Sequence, residues 1–290
     1  TIKKLKNSSA CIFQFAHIIC EICKKVEFDP ICEIIMPFVK QLLERQDNPN
    51  LVIDAITFIK NLDDFSFIFL QKPDMAAFWS SIPNIIADKS NNKGIASAVV
   101  KMMSTVCQKP KREQIFPITT PLLEATKSRL IDELNQPSGL RDNLAAFLAV
   151  LGGSVIGDNF PFKELIPLIL SVIPLQYDFT LSSDLYQFIS GICNRVIFNN
   201  EEMKNLYVHG LVELLSQPYK RIKMMNIDIL VLRSMLHSLT EALQSGEDEN
   251  LFMETVLKIL NGDQTKFAMF IQSFNIIRLL SNTEWVNSIM

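Results

Sequence analysis

Asp29-Pro30-Ile31-Cys32-Glu33-Ile34-Ile35-Met36-Pro37-Phe38-Val39-Lys40-Gln41-Leu42-Leu43-Glu44-Arg45 is the stretch that decides the fold class. Ile31, Ile34, Ile35, Phe38, Val39, Leu42 and Leu43 recur at i, i+3, i+4, i+7 spacing, which gathers all seven on one stripe of an α-helix. Asp29 is expected to cap that helix. Pro30 is expected at its first position, where a missing N–H costs nothing. A second helix follows at once from Asn48-Pro49, with Leu51, Val52, Ile53, Ile56 and Ile59 on its apolar side.

The couplet recurs down the chain. A leading helix over 8–26 has no earlier partner. After it the spacing predicts pairs 29–45 with 48–62, 73–88 with 92–107, 111–134 with 138–152, 161–173 with 180–198, 201–216 with 219–243, and 249–261 with 264–280. First helices thus begin 44, 38, 50, 40 and 48 residues apart, a scatter around the roughly 40–47 residues of HEAT and armadillo units. Polar turns separate the helices: Gln46-Asp47-Asn48, Asp88-Lys89-Ser90-Asn91, Gln108-Lys109-Pro110-Lys111 and Ser245-Gly246-Glu247. No strand-period alternation persists. The expectation is an all-α, HEAT-like α-solenoid of stacked antiparallel helix pairs: six pairs plus a leading unpaired helix, in a single array across 1–290. Thr1 opens in mid-sequence, so the chain reads as a fragment of something longer. Pro37, Pro83, Pro117 and Pro167 are each expected inside a first helix, as a built-in bend. Armadillo units need a third short helix, for which little room is left.

Composition narrows the function classes. The chain is 48% hydrophobic and 20% charged, with a mean hydropathy of +0.20. That apolar excess suits helices buried on more than one side. No apolar run approaches the roughly 18 residues that a membrane-spanning helix needs, so no membrane insertion is expected. A net charge of −3 argues against direct nucleic-acid binding. Cys11, Cys20, Cys23, Cys32, Cys107 and Cys193 lie in apolar stretches without framework spacing and are read as free thiols in a reducing compartment.

No motif for chemistry survives inspection. His17, Cys20, Cys23 and Cys32 resemble a zinc set at first. Each helical step of three residues turns by about −60°, however, so 17 and 23 point about 120° apart and cannot converge on one ion. Gly152-Gly153-Ser154-Val155-Ile156-Gly157 lacks the Lys-Ser/Thr and the preceding strand of a phosphate loop; it is read as a glycine C-cap after the 138–152 helix. Lys109, Lys111 and Arg112 are read as solvated turn residues rather than a nuclear-localisation signal. His209 and His237 stand alone on helical patterns. No catalytic residue, cofactor or metal site is expected, and the chain is read as a non-enzyme.

One segment carries a family resemblance. Gly139-Leu140-Arg141-Asp142-Asn143-Leu144-Ala145-Ala146-Phe147 resembles the start of a late second helix in karyopherin-β (importin-β family) nuclear transport receptors. The branch that imports ribosomal proteins and histones is the nearest in pattern. There an Arg-Asp-Asn-Ala start is followed by a first helix ending in Leu-Pro-Leu, an acidic turn and a helix with an aromatic pair. Ile166 to Pro174-Leu175-Gln176-Tyr177-Asp178, then Leu185-Tyr186-Gln187-Phe188-Ile189, are similar. The likeness spans roughly 111–215 and is architectural elsewhere. The chain departs from it at Phe179-Thr180-Leu181, where the family is acidic, and in its mild overall charge.

The resemblance implies a nuclear import receptor segment, working between cytoplasm and nucleus at the nuclear pore. It would bind basic protein cargo and the FG repeats of nucleoporins. Release would be coupled to Ran-GTP, which acts mainly on upstream repeats outside this chain. Second helices would line a concave face, with Asp54, Asp142 and Asp184 as cargo-facing carboxylates. Arg141, Asp142 and Asn143 form the structural repeat motif: the two acceptors cap N–H groups, and Arg141 bridges to carboxylates of an adjacent repeat. The alternative from another class is a static HEAT scaffold subunit that assembles a multiprotein complex.

Overall fold

A computed structural model of the chain describes residues 14–23, 27–45, 47–108, 116–244 and 248–280. Several sequence readings fall outside these residues: Cys11, Gln46, the Lys109/Lys111/Arg112 patch and the Ser245-Gly246-Glu247 turn. The described residues hold fifteen helices and no strand, so the protein is all-α. The α-helices are α1 (Gln14–Cys23), α2 (Phe28–Leu43), α3 (Pro49–Asn61), α4 (Ser66–Leu70), α5 (Ala76–Ala87), α6 (Lys93–Cys107), α7 (Phe116–Glu133), α8 (Gly139–Val150), α9 (Phe162–Leu170), α10 (Ser182–Ile192), α11 (Glu201–Leu215), α12 (Tyr219–Met224), α13 (Ile229–Ala242), α14 (Glu249–Ile259) and α15 (Gln264–Leu280). Two π-helical turns extend helices, Leu151–Ile156 after α8 and Cys193–Ile197 after α10.

Contacts divide the chain into two compact units. The first comprises Thr1–Asn135 and Val150–Asp158; the second comprises Gln136–Ala149 and Asn159–Met290. In the first unit α2 packs on α3, α3 on α6, and α5 on both α6 and α7; the Leu151–Ile156 turn packs on α6 and α7. In the second, α9 packs on α11, α10 on α13, α11 on α13 and α15, and α14 on α15. Several helices therefore meet both a sequence neighbour and a helix two or three elements further on, as α3 does with α2 and α6, α5 with α6 and α7, and α11 with α9, α13 and α15. In α3 the periodic positions Val52, Ile56 and Ile59 are buried as expected, but of the seven-residue stripe in α2 only Ile35 and Val39 are; Ile34 and Phe38 are exposed, because the buried face is turned towards Phe28, Cys32 and Met36. Leu148, mid-way along α8, is fully buried as well.

Helix boundaries depart from the periodic reading in instructive places. Asp29 does not cap α2. The helix starts two residues earlier, at Phe28 after Glu27, which makes Pro30 its third residue and not its first, and Asp29 pairs with Lys72 at 2.6 Å. Caps do form where a short acceptor precedes the helix: Asn92, Asn200, Asp228 and Asp248 each accept backbone N–H groups of the first turn. The expected 219–243 helix is two helices. Asn226 takes a left-handed conformation at φ +50, which asparagine tolerates, and Asp228 caps a fresh start. Residues 63–70, left between helices by the spacing, form a 3₁₀ turn and the short α4.

Pro37, Pro83 and Pro167 lie inside their helices, as expected. Pro117 instead sits in the first turn of α7, where it displaces no intrahelical bond; Pro121 is that helix's internal proline. The glycine cap is also shifted. Gly152 and Gly153 continue as π-helix, and the chain turns at Gly157, whose φ of +63 suits only a residue without Cβ. Gly210 serves close approach: a Cβ there would collide with the Ile173 side chain. One segment overturns the expectation about apolar runs. Gly139–Asn159 is 21 residues long and holds an 18-residue window of mean hydropathy 1.3, long and apolar enough to cross a membrane, but 78% of that window is buried in the protein.

Candidate functional site

Arg141, Asp142 and Asn143 open α8, and the structure turns all three inward. Asp142 is fully buried. Its Oδ2 accepts the backbone N–H groups of Gln176 (2.9 Å), Tyr177 (2.6 Å) and Asp178 (3.1 Å), while the Arg141 guanidinium donates to Oδ1 at 3.3 Å. Asn143 Nδ2 donates to Asp178 Oδ2 at 3.1 Å. The other Asp178 oxygen, Oδ1, accepts from the Thr180 N–H at 3.0 Å and the Thr180 hydroxyl at 2.6 Å. Arg221 holds the same loop from the far side. It donates to the Gln176 carbonyl at 2.7 Å and stacks over Phe179 at 5.6 Å.

These contacts correct two expectations. Asp142 is not cargo-facing, because a fully buried carboxylate that already receives three N–H groups has neither surface nor free acceptors for a partner. Arg141 does not reach a carboxylate of another repeat; its neighbour Asp142 takes it. The motif does satisfy N–H groups, but those of the 176–178 loop, 34 to 36 residues away in sequence.

The two remaining carboxylates belong to different units. Asp184, in the first turn of α10, is half-buried and placed to favour the positive helix end. Asp54 of α3 is half-buried beside an apolar groove lined by Phe15, Ile35, Phe38, Val39, Leu42, Ala55 and Phe58. Burial raises its carboxyl above the usual carboxylate range. The folded state then holds that proton more tightly than the unfolded chain. Asp54 therefore costs stability at neutral pH, and the cost vanishes as pH falls through its folded pKa towards the unfolded value near about 4. Asp54→Asn is expected to raise Tm at pH 7, with the gain shrinking to nothing near pH 4. Thermal scans of both chains across that window check this, and a lower Tm for the variant at pH 7 would refute it.

Two larger grooves lie beside neighbouring first helices. The one in the first unit, about 510 Å³, is bordered by Leu43, Pro49, Val52, Phe78, Ile85 and Ile95. The one in the second unit, about 660 Å³, opens between the N-terminal turns of α9 and α11, with Phe160, Phe162, Lys163, Arg195, Asn200 and Met203 at its walls. Its aromatic wall is ordered. Phe160 meets Phe162 edge-on at 5.3 Å and Phe188 at 5.7 Å. The Cys193–Ile197 turn carries Arg195 over the Phe162 ring at 5.5 Å. An apolar wall with a rim of mixed charge (Lys163, Glu164 and Arg195) and an amide at Asn200 suits an aromatic side chain carried on an extended peptide. Sequence reading missed this groove. The signal was present in Phe160-Pro161-Phe162 and Phe188, but periodicity reports one helix at a time.

The thiols are tuned away from nucleophilic chemistry. Burial raises Cys20, Cys23, Cys32, Cys107 and Cys193 alike, Cys107 to about 12, so each is a thiol near neutrality, whereas a nucleophile needs the thiolate. Among the described residues no group of three or more His, Cys, Asp or Glu could hold a metal ion. Comparison with protein-family models finds none that matches the chain, and comparison with curated proteins finds no match.

Proposed function

We propose that this chain is a HEAT-like α-solenoid segment of a karyopherin-β-like import receptor, which binds basic protein cargo and nucleoporin FG repeats and is no enzyme. One observation supports the reading: α3 packs on α2 and α6, α5 on α6 and α7, and α11 on α9, α13 and α15, so several helices in each unit join elements near in sequence on two sides. A repeat array, whose exposed faces serve as binding surfaces, is the arrangement that such packing of near neighbours favours. The resemblance around Arg141-Asp142-Asn143 supports the family, and the aromatic groove between α9 and α11 supports the FG partner. In this reading release follows Ran-GTP acting mainly on upstream repeats, and the protein shuttles between cytoplasm and nucleus through the pore.

The static scaffold is the second reading. It is favoured by the net charge of only −3 and by the removal of Asp142 from the surface. Two titrations separate them. A lysine-rich histone-tail peptide should bind more weakly at physiological than at low salt, and the double reversal Asp54→Lys, Asp184→Lys should weaken it further. A Phe-Gly repeat peptide should lose about tenfold in affinity, or about 1.4 kcal/mol, when Phe162→Ala opens the groove wall. No change in either titration, with helicity intact, would leave the scaffold in possession.

A further inference from the structure

In the first unit α3 is partnered by α2, α6 by α5, and the Leu151–Ile156 turn by α7. Among the described residues α1 stands without such a partner. It meets α3 and the residue that follows it: Phe15 stacks on Phe58 at 5.8 Å, and the Cys20 thiol donates to the Leu62 carbonyl at 3.3 Å. Ala16 and Ile19 are buried, but its remaining apolar residues are left open. Phe15, Ile18 and Ile22 fall at i, i+3 and i+7, and are 48%, 53% and 45% exposed. The adjoining face of α2 is open too, with Ile34 79% and Phe38 60% exposed. Phe15 and Phe38 border one groove, so the two stripes are continuous there. An exposed apolar surface shared by two helices marks a binding site rather than solvated surface.

Charge narrows the occupant. Asp54 stands at the Phe15–Phe38 end of this surface, beside a groove that is otherwise wholly apolar. A half-buried carboxylate there is incompletely solvated and gains from a cation brought to it. We propose that α1 and α2 together receive one amphipathic helix from a partner protein, with an apolar stripe along the two helices and a lysine or arginine at the stripe's end that meets Asp54. The helix completes for α1 the pairing that α3 and α6 already have. A long cationic side chain suits the position, since its methylenes lie on the apolar wall while its charge reaches the rim. The proposal stands whether or not the chain carries import cargo.

The probe is a labelled synthetic helix of about 16 residues with leucines at i, i+3, i+4, i+7 and i+11 and one lysine at the stripe's end. A second peptide carries glutamate in place of that lysine. Fluorescence anisotropy with the full chain is expected to give the lysine peptide about tenfold higher affinity. Asp54→Lys should invert the order of the two peptides, a gain that misfolding cannot imitate. Phe38→Asp should abolish binding of both, with the circular dichroism spectrum unchanged. Equal affinities for the two peptides, or binding undisturbed by Phe38→Asp, would overturn the proposal. So would a chain that ignores both peptides but dimerises in sedimentation until Phe38→Asp is introduced, because the face would then belong to a second copy.

Discussion

Asp142→Ala is expected to destabilise the second unit by about 3–5 kcal/mol, the largest loss from a single site there. One carboxylate oxygen receives three backbone N–H groups from Gln176, Tyr177 and Asp178, and the other receives Arg141. Hydrogen bonds to an ionised acceptor are the stronger kind, and here they are shielded from water. Alanine removes the acceptor for all of them together. It also leaves the buried Arg141 without its carboxylate. Asp142→Asn keeps the volume and one oxygen, so it should fall between. Urea denaturation gives the magnitude, and hydrogen exchange gives the place: protection should drop first at 176–178. A loss below about 0.5 kcal/mol, the size of an ordinary surface change, would show that the loop holds its shape without the carboxylate.

Glu133→Ala should cost the first unit a comparable amount, about 3–5 kcal/mol, for a different reason. Arg129 is among the most deeply buried side chains of the chain, 2% exposed. Its guanidinium donates to the Asp88 carbonyl at 2.8 Å and pairs with Glu133, four residues on, at 3.1 Å. Lys93 joins the same carboxylate at 2.6 Å from α6. Removing Glu133 strands a buried cation whose desolvation is then uncompensated. Removing both charges does not. The double variant Arg129→Met, Glu133→Leu should recover most of the loss, since apolar groups of similar size replace a buried pair at little cost. A double-mutant cycle reads this directly. Strict additivity of the two single changes would mean that the pair does not act as a unit.

Both sites show how sequence and tertiary structure divide the decisions. Arg129 and Glu133 satisfy an i, i+4 rule that is visible in the sequence, yet on sequence grounds that spacing describes a solvated helix face as well as an interior. Only the packing of α7 against α5 and of α5 against α6 puts them inside. Asp142 is legible in the sequence as an early-turn acceptor, but the structure buries it where a cargo-facing carboxylate was expected. A carboxylate in a first helical turn is equally at home capping its own helix, facing a partner, or holding a loop more than thirty residues away. Distance in sequence conceals that third choice. Asp54 shows the same limit: its position in α3 followed from the spacing, whereas the apolar groove beside it needs α1, α2 and α3 in contact.

What the sequence determined by itself is the all-α class, the order of the helices and most of their spans. These depend on short-range physics: 3.6-residue periodicity, caps such as Asn92 and Asn200, and polar turns between apolar stripes. Where a boundary was missed, as at Asn226 or Gly157, the deciding term was a single backbone torsion that leaves no periodic trace. The tertiary structure alone decided which side of each helix meets a neighbour and which polar groups lose water. It also decided where grooves open between first helices and which apolar faces remain unpaired. Those outcomes are set by distances between residues tens of positions apart, and a repeating pattern of apolar residues is nearly the same for every arrangement that buries it.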